Sequence, residues 1–249
     1  MEPKRRTLTR VERDGISMLT DERAPSAGVA VWFHDRLGGT SSAPFDTLNL
    51  AMSVGDERAD VTANRVRAAR AAGWRIESLA LAKQVHAADV IEVTEGSSVP
   101  VGHADVLVTR VPNVVIGILS ADCVPVALKG ERGVAMVHAG WRGLVAGAID
   151  AGIAAVGPVE CAWVGPAIHA CCYEVSEDVL GAFADAGLPR AGDDRVDPGR
   201  AAVFALRRAG VTDIASTDEC TSCDPRYFSY RRDGLTGRQG SFVMLQSPQ

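Results

Sequence analysis

Residues 124–138 read VPVALKGERGVAMVH, two apolar, β-rich runs joined by KGERG. A five-residue, glycine-bearing link between such runs is a hairpin signal. With Glu131 at its midpoint, the hairpin sets Cys123 beside His138 at its open end. Neighbouring strands lie roughly 5 Å apart, which suits two side chains that share one ion. His138 then runs straight into AGWRG (139–143), a glycine-flanked turn, and a small-residue helix expected over 144–156.

Further strands are expected at 29–33, 79–85, 90–93, 104–109 and 114–119 on one side of the hairpin, and at 162–164 and 241–245 on the other. DERADVTANRVRAARAAG (56–73) predicts a helix with an acidic first turn and a terminal glycine. Ser176 can cap a helix through Ala186, and Asp197-Pro198 can start one that ends at Gly210. Residues 37–49 are turn-rich, and residues 1–27 read as a polar lead-in with at most short strands. Strands and helices mix without strict βαβ alternation, and no linker or repeat interrupts them. The expectation is an α+β fold with mixed sheets flanked by helices, in one domain over 28–249.

Composition bounds the function. The chain of 249 residues is 47% hydrophobic and 23% charged, enough for a sizeable core. Its net charge of −5 argues against nucleic acid as partner, since phosphate contacts need a basic surface. The charged N-terminus has no apolar stretch after it, so a secretory signal is not expected. The longest apolar run, near 114–121, is too short to span a bilayer. Six cysteines in a chain this long need no disulfide framework. A cytoplasmic protein without membrane partners, monomeric or homodimeric, is the expectation.

His86 closes KQVHAADV (83–90) just after another strand-like run, and it makes a third candidate beside Cys123 and His138. Imidazoles and a thiolate are donors that zinc prefers, and three protein ligands leave a fourth position open, as in catalytic sites. Spacing alone also allows a hydrogen-bonded core histidine and a cysteine that serves as a small apolar filler. Cys171-Cys172 are adjacent, and CTSC (220–223) is half a zinc ribbon or a redox pair without a second CxxC; all four read as structural thiols.

QVH (84–86), ADCVPV (121–126), VHAGWRG (137–143), GPAIHACCYEV (165–175) and FSYRRDGLTGR (228–238) together resemble the YfiH-like family. FDTLNLAMSVGD (45–56) followed by Asn64-Arg65 extends the likeness to roughly residues 28–245. The family's members have been described as multicopper polyphenol oxidases or laccase-domain proteins, and as purine nucleoside phosphorylases with adenosine deaminase activity. The resemblance implies a zinc-dependent enzyme acting on adenosine, inosine and S-methyl-5'-thioadenosine with phosphate, its metal ligands being His86, Cys123 and His138. It implies catalytic roles for Arg65, Asp122 and Cys123. Asn64, Arg65, Arg142, Phe228 and Arg231 are the expected substrate contacts.

The residues themselves give partial reasons. Arg65 falls at helical spacing with Val61, Ala68 and Ala72, which sets a cation beside the inward face. It either snorkels at the core edge or meets an anion, and its guanidinium fork matches phosphate. Arg142 opens a helix whose amides can meet an anion. Arg231 and Arg232 read equally as a solvated pair. Asp122 can orient a ligand or donate a proton. Tyr227, Phe228 and Tyr230 can stack on a purine or fill a core.

Two rivals stand beside this reading. Two histidines and a cysteine are also a blue-copper ligand set, so copper is the alternative metal and a laccase-like polyphenol oxidase the alternative enzyme. A full multicopper centre needs more histidines than the five present. Alternatively, Cys123 is the nucleophile and His138 the base of a hydrolase or deamidase, a scheme in which His86 is superfluous.

Overall fold

A computed structural model describes residues 6–247; the first five residues of the expected lead-in and the last two of the chain lie outside the described residues. The hairpin is β9 (Val124–Gly130) and β10 (Gly133–Ala139), at the middle of a seven-stranded sheet. Its link is Glu131-Arg132 alone, because Lys129, Gly130 and Gly133 stay in the ladder. Gly133 sits at φ +135°, and a Cβ there would lie 2.3 Å from the Thr109 carbonyl oxygen, so only glycine lets the strand begin this early. The shorter link also moves the register. His138 pairs with Pro125 and Ala139 with Val124, so Cys123 stands one step past the last pair, diagonal to His138 rather than opposite it.

Beyond β9 the sheet continues through β11 (Val159–Val164), β12 (Ile214–Ser216) and β1 (Arg6–Thr7). Beyond β10 it continues through β7 (Val106–Thr109) and β6 (Val90–Glu92). A second sheet of six strands runs β2 (Thr9–Arg13), β3 (Ile16–Thr20), β4 (Val29–His34), β13 (Gln239–Leu245), β8 (Val115–Ser120) and β5 (Leu79–Leu81). Both sheets mix parallel and antiparallel pairs, and with their helices they make an α+β fold.

The sheets stack face to face, and helices cover both outer faces. Helices α2 (Trp141–Val145), α3 (Ala148–Val156), α4 (Glu177–Asp185) and α5 (Pro198–Arg208) pack on the seven-stranded sheet. Helix α1 (Arg58–Ala72) packs on the outer face of the six-stranded sheet through Ala68, Ala69, Ala71 and Ala72. A strand in such a stack is buried on both faces, which is why 124–128 and 134–138 show no polar alternation. In β10, Ala135, Val137 and Ala139 join the helix-facing core, whereas Val134 and Met136 join the core between sheets. By the same two-residue period His138 projects on the inter-sheet side, at the strand's last turn.

Some expected elements differ. The helix over 144–156 is two helices, broken where Gly147 adopts φ +81°. The strand over 79–85 ends at Leu81, after which the chain turns through His86. Residues 6–20 supply three short strands, with Ile16 and Met18 wholly buried. The short α6 (Tyr230–Asp233) begins where Ser229 accepts from the Arg232 amide. Among the described residues no helix is long and apolar enough to cross a membrane.

Candidate metal centre

The turn that carries His86 has no regular hydrogen-bonding partner of its own, and a buried acid supplies one. Asp105, just ahead of β7, takes the backbone N–H groups of Val85, His86 and Ala87 on its carboxylate at 3.0, 3.0 and 2.8 Å. This holds His86 at φ +61°, a conformation that few residues other than glycine adopt. The Asp105 oxygen that receives the His86 amide also lies 2.7 Å from Nδ1 of His138. The Asp105 main-chain carbonyl accepts the His138 amide at 2.8 Å. One wholly buried carboxylate thus joins the His86 turn to the end of β10.

Donation from His138 Nδ1 to Asp105 leaves Nε2 with its lone pair for a metal. The ligand atoms of His86, Cys123 and His138 all lie within 4.8 Å of one another. Cys123 Sγ is 3.9 Å from His86 Nε2, and the two imidazoles meet nearly edge to face, 4.9 Å between centroids. A tetrahedral zinc ion would space such sulfur and nitrogen donors about 3.5 Å apart, so a small closure of the trio suffices. His138 is buried, Cys123 half-buried and His86 exposed, so a fourth position opens toward solvent. The donor set and its spacing fit a metal ion.

Without a metal the electrostatics favour a thiolate–imidazolium pair, whose His138 proton a bound cation would displace. Burial pushes the Asp105 carboxyl up, but His138 and the amides of Ala87 and Val85 outweigh it and hold it at about 2. Desolvation likewise raises the Cys123 thiol, and His138, helped by His86, overrides it and brings the group to about 6. Burial works against a charged His138, and the opposing pull of Cys123 and Asp105 raises it. A thiolate is therefore available near neutral pH. Gly140 makes room for it: a Cβ there would lie 2.9 Å from Cys123 Sγ and 3.0 Å from His86 Cδ2.

Asp122 is buried at φ +92°, and its two carboxylate oxygens are committed. One accepts from the Thr221 hydroxyl at 2.6 Å and the other from the Arg231 amide at 2.8 Å. Both contacts hold the turn that presents Cys123. Asn64 is likewise committed to neighbouring groups. It is wholly buried, its Oδ1 accepts from Thr40, and its Nδ2 donates to Ser41, Thr47 and Asn49. That network ties the 40–49 loop to α1. Phe228 is wholly buried too, with the Arg36 guanidinium 4.5 Å over its ring, so it has no face to offer a purine. Tyr227 is equally enclosed, and Tyr230 alone of the three aromatics is exposed.

The arginines divide more usefully. Arg65 donates through Nε to the Leu50 carbonyl at 2.9 Å, and Arg238 donates to its neighbours' carbonyls at Thr236 and Gly237. Among the described residues neither has a carboxylate in ion-pair range, and burial lowers the pKa of both. The two meet the same loop, since the Arg238 main chain bonds Asn49 and Leu50. Two partly buried arginines without a carboxylate partner among the described residues thus meet residues 49–50, and the charge of Cys123 reaches Arg238. Arg142 and Arg231 lie instead on aromatic faces, over Trp141 at 4.2 Å and Tyr173 at 4.8 Å. All four line a groove of about 660 Å³.

Asp105, Gly140 and Tyr173 were not singled out from the sequence. Asp105 had one available signal: it is an acid at the head of an otherwise apolar strand run.

A family model described as multi-copper polyphenol oxidoreductase laccase matches residues 30–246. A purine nucleoside phosphorylase of Streptomyces coelicolor is 37% identical over 235 residues, covering 88% of this chain and 96% of that protein. The Escherichia coli purine nucleoside phosphorylase YfiH is 37% identical over 231 residues, covering 88% and 94%. Among solved structures, YlmD from Geobacillus stearothermophilus superposes with a TM-score of 0.85 at 30% identity, covering 95% of this chain and 98% of its own. Sequence and fold thus agree over nearly the whole length, and the chain belongs to the laccase-domain family of YfiH-like proteins.

Proposed function

We propose that the protein is a zinc-dependent purine nucleoside phosphorylase, acting on adenosine, inosine and S-methyl-5'-thioadenosine, with adenosine deaminase activity. The observation that carries this reading is the His86–Cys123–His138 cluster, oriented by Asp105 and open on one side, with Arg65 of α1 and Arg238 beside β13 bonded to the same 49–50 segment and free of carboxylate partners among the described residues. The names of its relatives in Streptomyces coelicolor and Escherichia coli support the substrate class.

In phosphorolysis, Arg65 and Arg238 bind phosphate, offset its charge and aim an oxygen at the anomeric carbon of the ribose. The new C–O bond forms as the C–N bond breaks, and the purine leaves protonated. The reaction balances because the attacking hydrogen phosphate gives up its proton as it becomes the sugar phosphate. Arg142 and Arg231, on their aromatic supports, flank the groove that receives the nucleoside. Tyr173 is kept protonated there, because burial and the nearby Cys123 charge push its phenol up to about 12. A bound zinc ion supplies Lewis acidity and an activated water at neutral pH, which is the chemistry that deamination needs.

Purified protein is incubated with each nucleoside, with and without phosphate. The expected products are free base and ribose 1-phosphate (or its methylthio analogue) with phosphate, and inosine from adenosine without it. Absence of all of these overturns the reading. The thiol at about 6 beside a raised imidazole also favours a second reading, a cysteine hydrolase with Cys123 as nucleophile. His86→Ala separates the two: loss of both metal and activity supports zinc, whereas retained activity without metal supports the hydrolase. A copper oxidase would oxidise phenols when loaded with copper; tighter binding of copper than of zinc is common to nitrogen and sulfur donor sites and separates nothing.

A further inference from the structure

Two cysteine pairs, distant in sequence, converge on the far side of Asp122. The loop after β11 carries Cys171 and Cys172; the loop after β12 carries Cys220 and Cys223. A bridge between Ala167 and Cys220 and a hydrogen bond from the Thr221 amide to the Ala167 carbonyl lay the loops side by side. The four sulfurs all lie within 4.8 Å of one another, with Cys223 Sγ 3.1 Å from Cys172 Sγ and 3.4 Å from Cys171 Sγ.

We propose that Cys171, Cys172, Cys220 and Cys223 form a second metal site, a closed tetrathiolate centre that takes one zinc ion. Four thiolates around zinc at about 2.3 Å stand roughly 3.8 Å apart, the spacing that this cluster brackets. Sulfur donors select soft or borderline ions over calcium and magnesium. An iron–sulfur cubane binds each thiolate to a different iron and needs a wider ring of sulfurs than this one. With all four positions filled by protein, the site has no place for substrate, so its role is structural.

The surroundings are those of a charged sulfur centre. The His169 amide donates to Cys220 Sγ at 3.4 Å. Two guanidiniums brace the loops: Arg195 donates to the carbonyls of Ala170 and Cys171, and Arg232 to those of Thr221, Ser222 and Asp224. Each also pairs with the acid beside it, Arg195 with Asp194 and Arg232 with Asp233, so they fix the backbone of the two loops around the sulfurs. Cys161 is the contrast, a single buried thiol in the inter-sheet core with no sulfur partner among the described residues.

The clasp also reaches the first centre. Asp122 accepts the Ile168 amide on its carbonyl and the Thr221 hydroxyl on its carboxylate, so each loop of the clasp grips the residue before Cys123. An ion that locks the two loops together locks the Cys123 turn as well.

The test is metal stoichiometry on the full chain, purified with reductant and zinc. The wild type is expected to hold two zinc ions. Cys123→Ser is expected to keep one, as is Cys171→Ser with Cys223→Ser, two exposed positions whose exchange leaves the cores untouched. Cobalt exchanged into Cys123→Ser should give the intense thiolate-to-metal bands of a four-sulfur site, and X-ray absorption on its zinc form a sulfur-only shell. On the wild type, thiol reagents should find these four cysteines protected until a chelator removes the ion. Zinc-free Cys123→Ser, four freely reactive thiols before chelation, or a mass two hydrogens lighter from a disulfide would each overturn the proposal.

Discussion

Asp105 is the residue on which the centre turns, because one carboxylate sets both the His86 backbone and the His138 tautomer. Asp105→Asn keeps the size but loses the charge and presents an amide that cannot accept all four donors. Metal affinity should fall roughly 10- to 100-fold, with the far-UV circular dichroism unchanged, as read by chelator competition. Gly140→Ala tests the same place by sterics. Its methyl would press on Cys123 Sγ and His86 Cδ2, and both are held by their own loops, so the expected result is loss of bound metal from the first centre without unfolding. Arg65→Lys keeps a charge and removes the fork. The KM for phosphate should rise roughly tenfold while metal content stays the same, and an unchanged KM would place the anion elsewhere.

At the scale of elements, the hairpin was legible because two buried strands and a glycine-bearing link have a strong local signature. Its register was not. A link shortened to Glu131-Arg132 depends on Gly133 approaching Thr109 of a third strand, a contact that no local pattern announces. The break between α2 and α3 is similar, since an Ala- and Gly-rich stretch reads as one helix until packing forces Gly147 to φ +81°. No atom crowds a Cβ at Gly147 closer than 3.7 Å, so Gly147→Ala carries only the left-handed backbone penalty. That should cost about 1 kcal/mol of stability, measured by urea unfolding with an unchanged slope. Helix α5 behaved as its sequence announced: Asp197 caps it through the Arg200 amide, and Pro198 follows at the first position. The same carboxylate lies 3.0 Å from Nδ1 of His169 and so ties the start of α5 to the loop after β11.

For the molecule as a whole, the stacked sheets with helices outside bury titratable groups that the site does not use. His34, at the end of β4, is 1% exposed and packs edge-on against Phe242 at 5.4 Å. Desolvation pulls it down to about 4 from an ordinary value of 6.5. Between those values the unfolded chain binds a proton that the folded protein refuses, so stability falls as pH drops from 6.5 towards 4. The loss from this group reaches ~3 kcal/mol at the acid end. His34→Leu removes the group. The difference in Tm between wild type and variant should therefore shift in the variant's favour across that window, and parallel curves would show that His34 does not titrate as a buried neutral group.

What the chain determined by itself was local: the apolar runs that become double-faced strands, the capped helices, and the three side chains that could hold a metal, each bordering a strand-like run and each within a motif shared with a family. Those features follow from backbone periodicity, turn chemistry and residue type, which a linear pattern carries. Tertiary structure alone decided that Asp105 bonds the His138 imidazole, that Asn64 and Phe228 are wholly buried, and that Cys171, Cys172, Cys220 and Cys223 meet. These depend on contacts between segments tens of residues apart, where the exchange of solvation for a specific partner is settled by the packed sheets and leaves no trace in spacing.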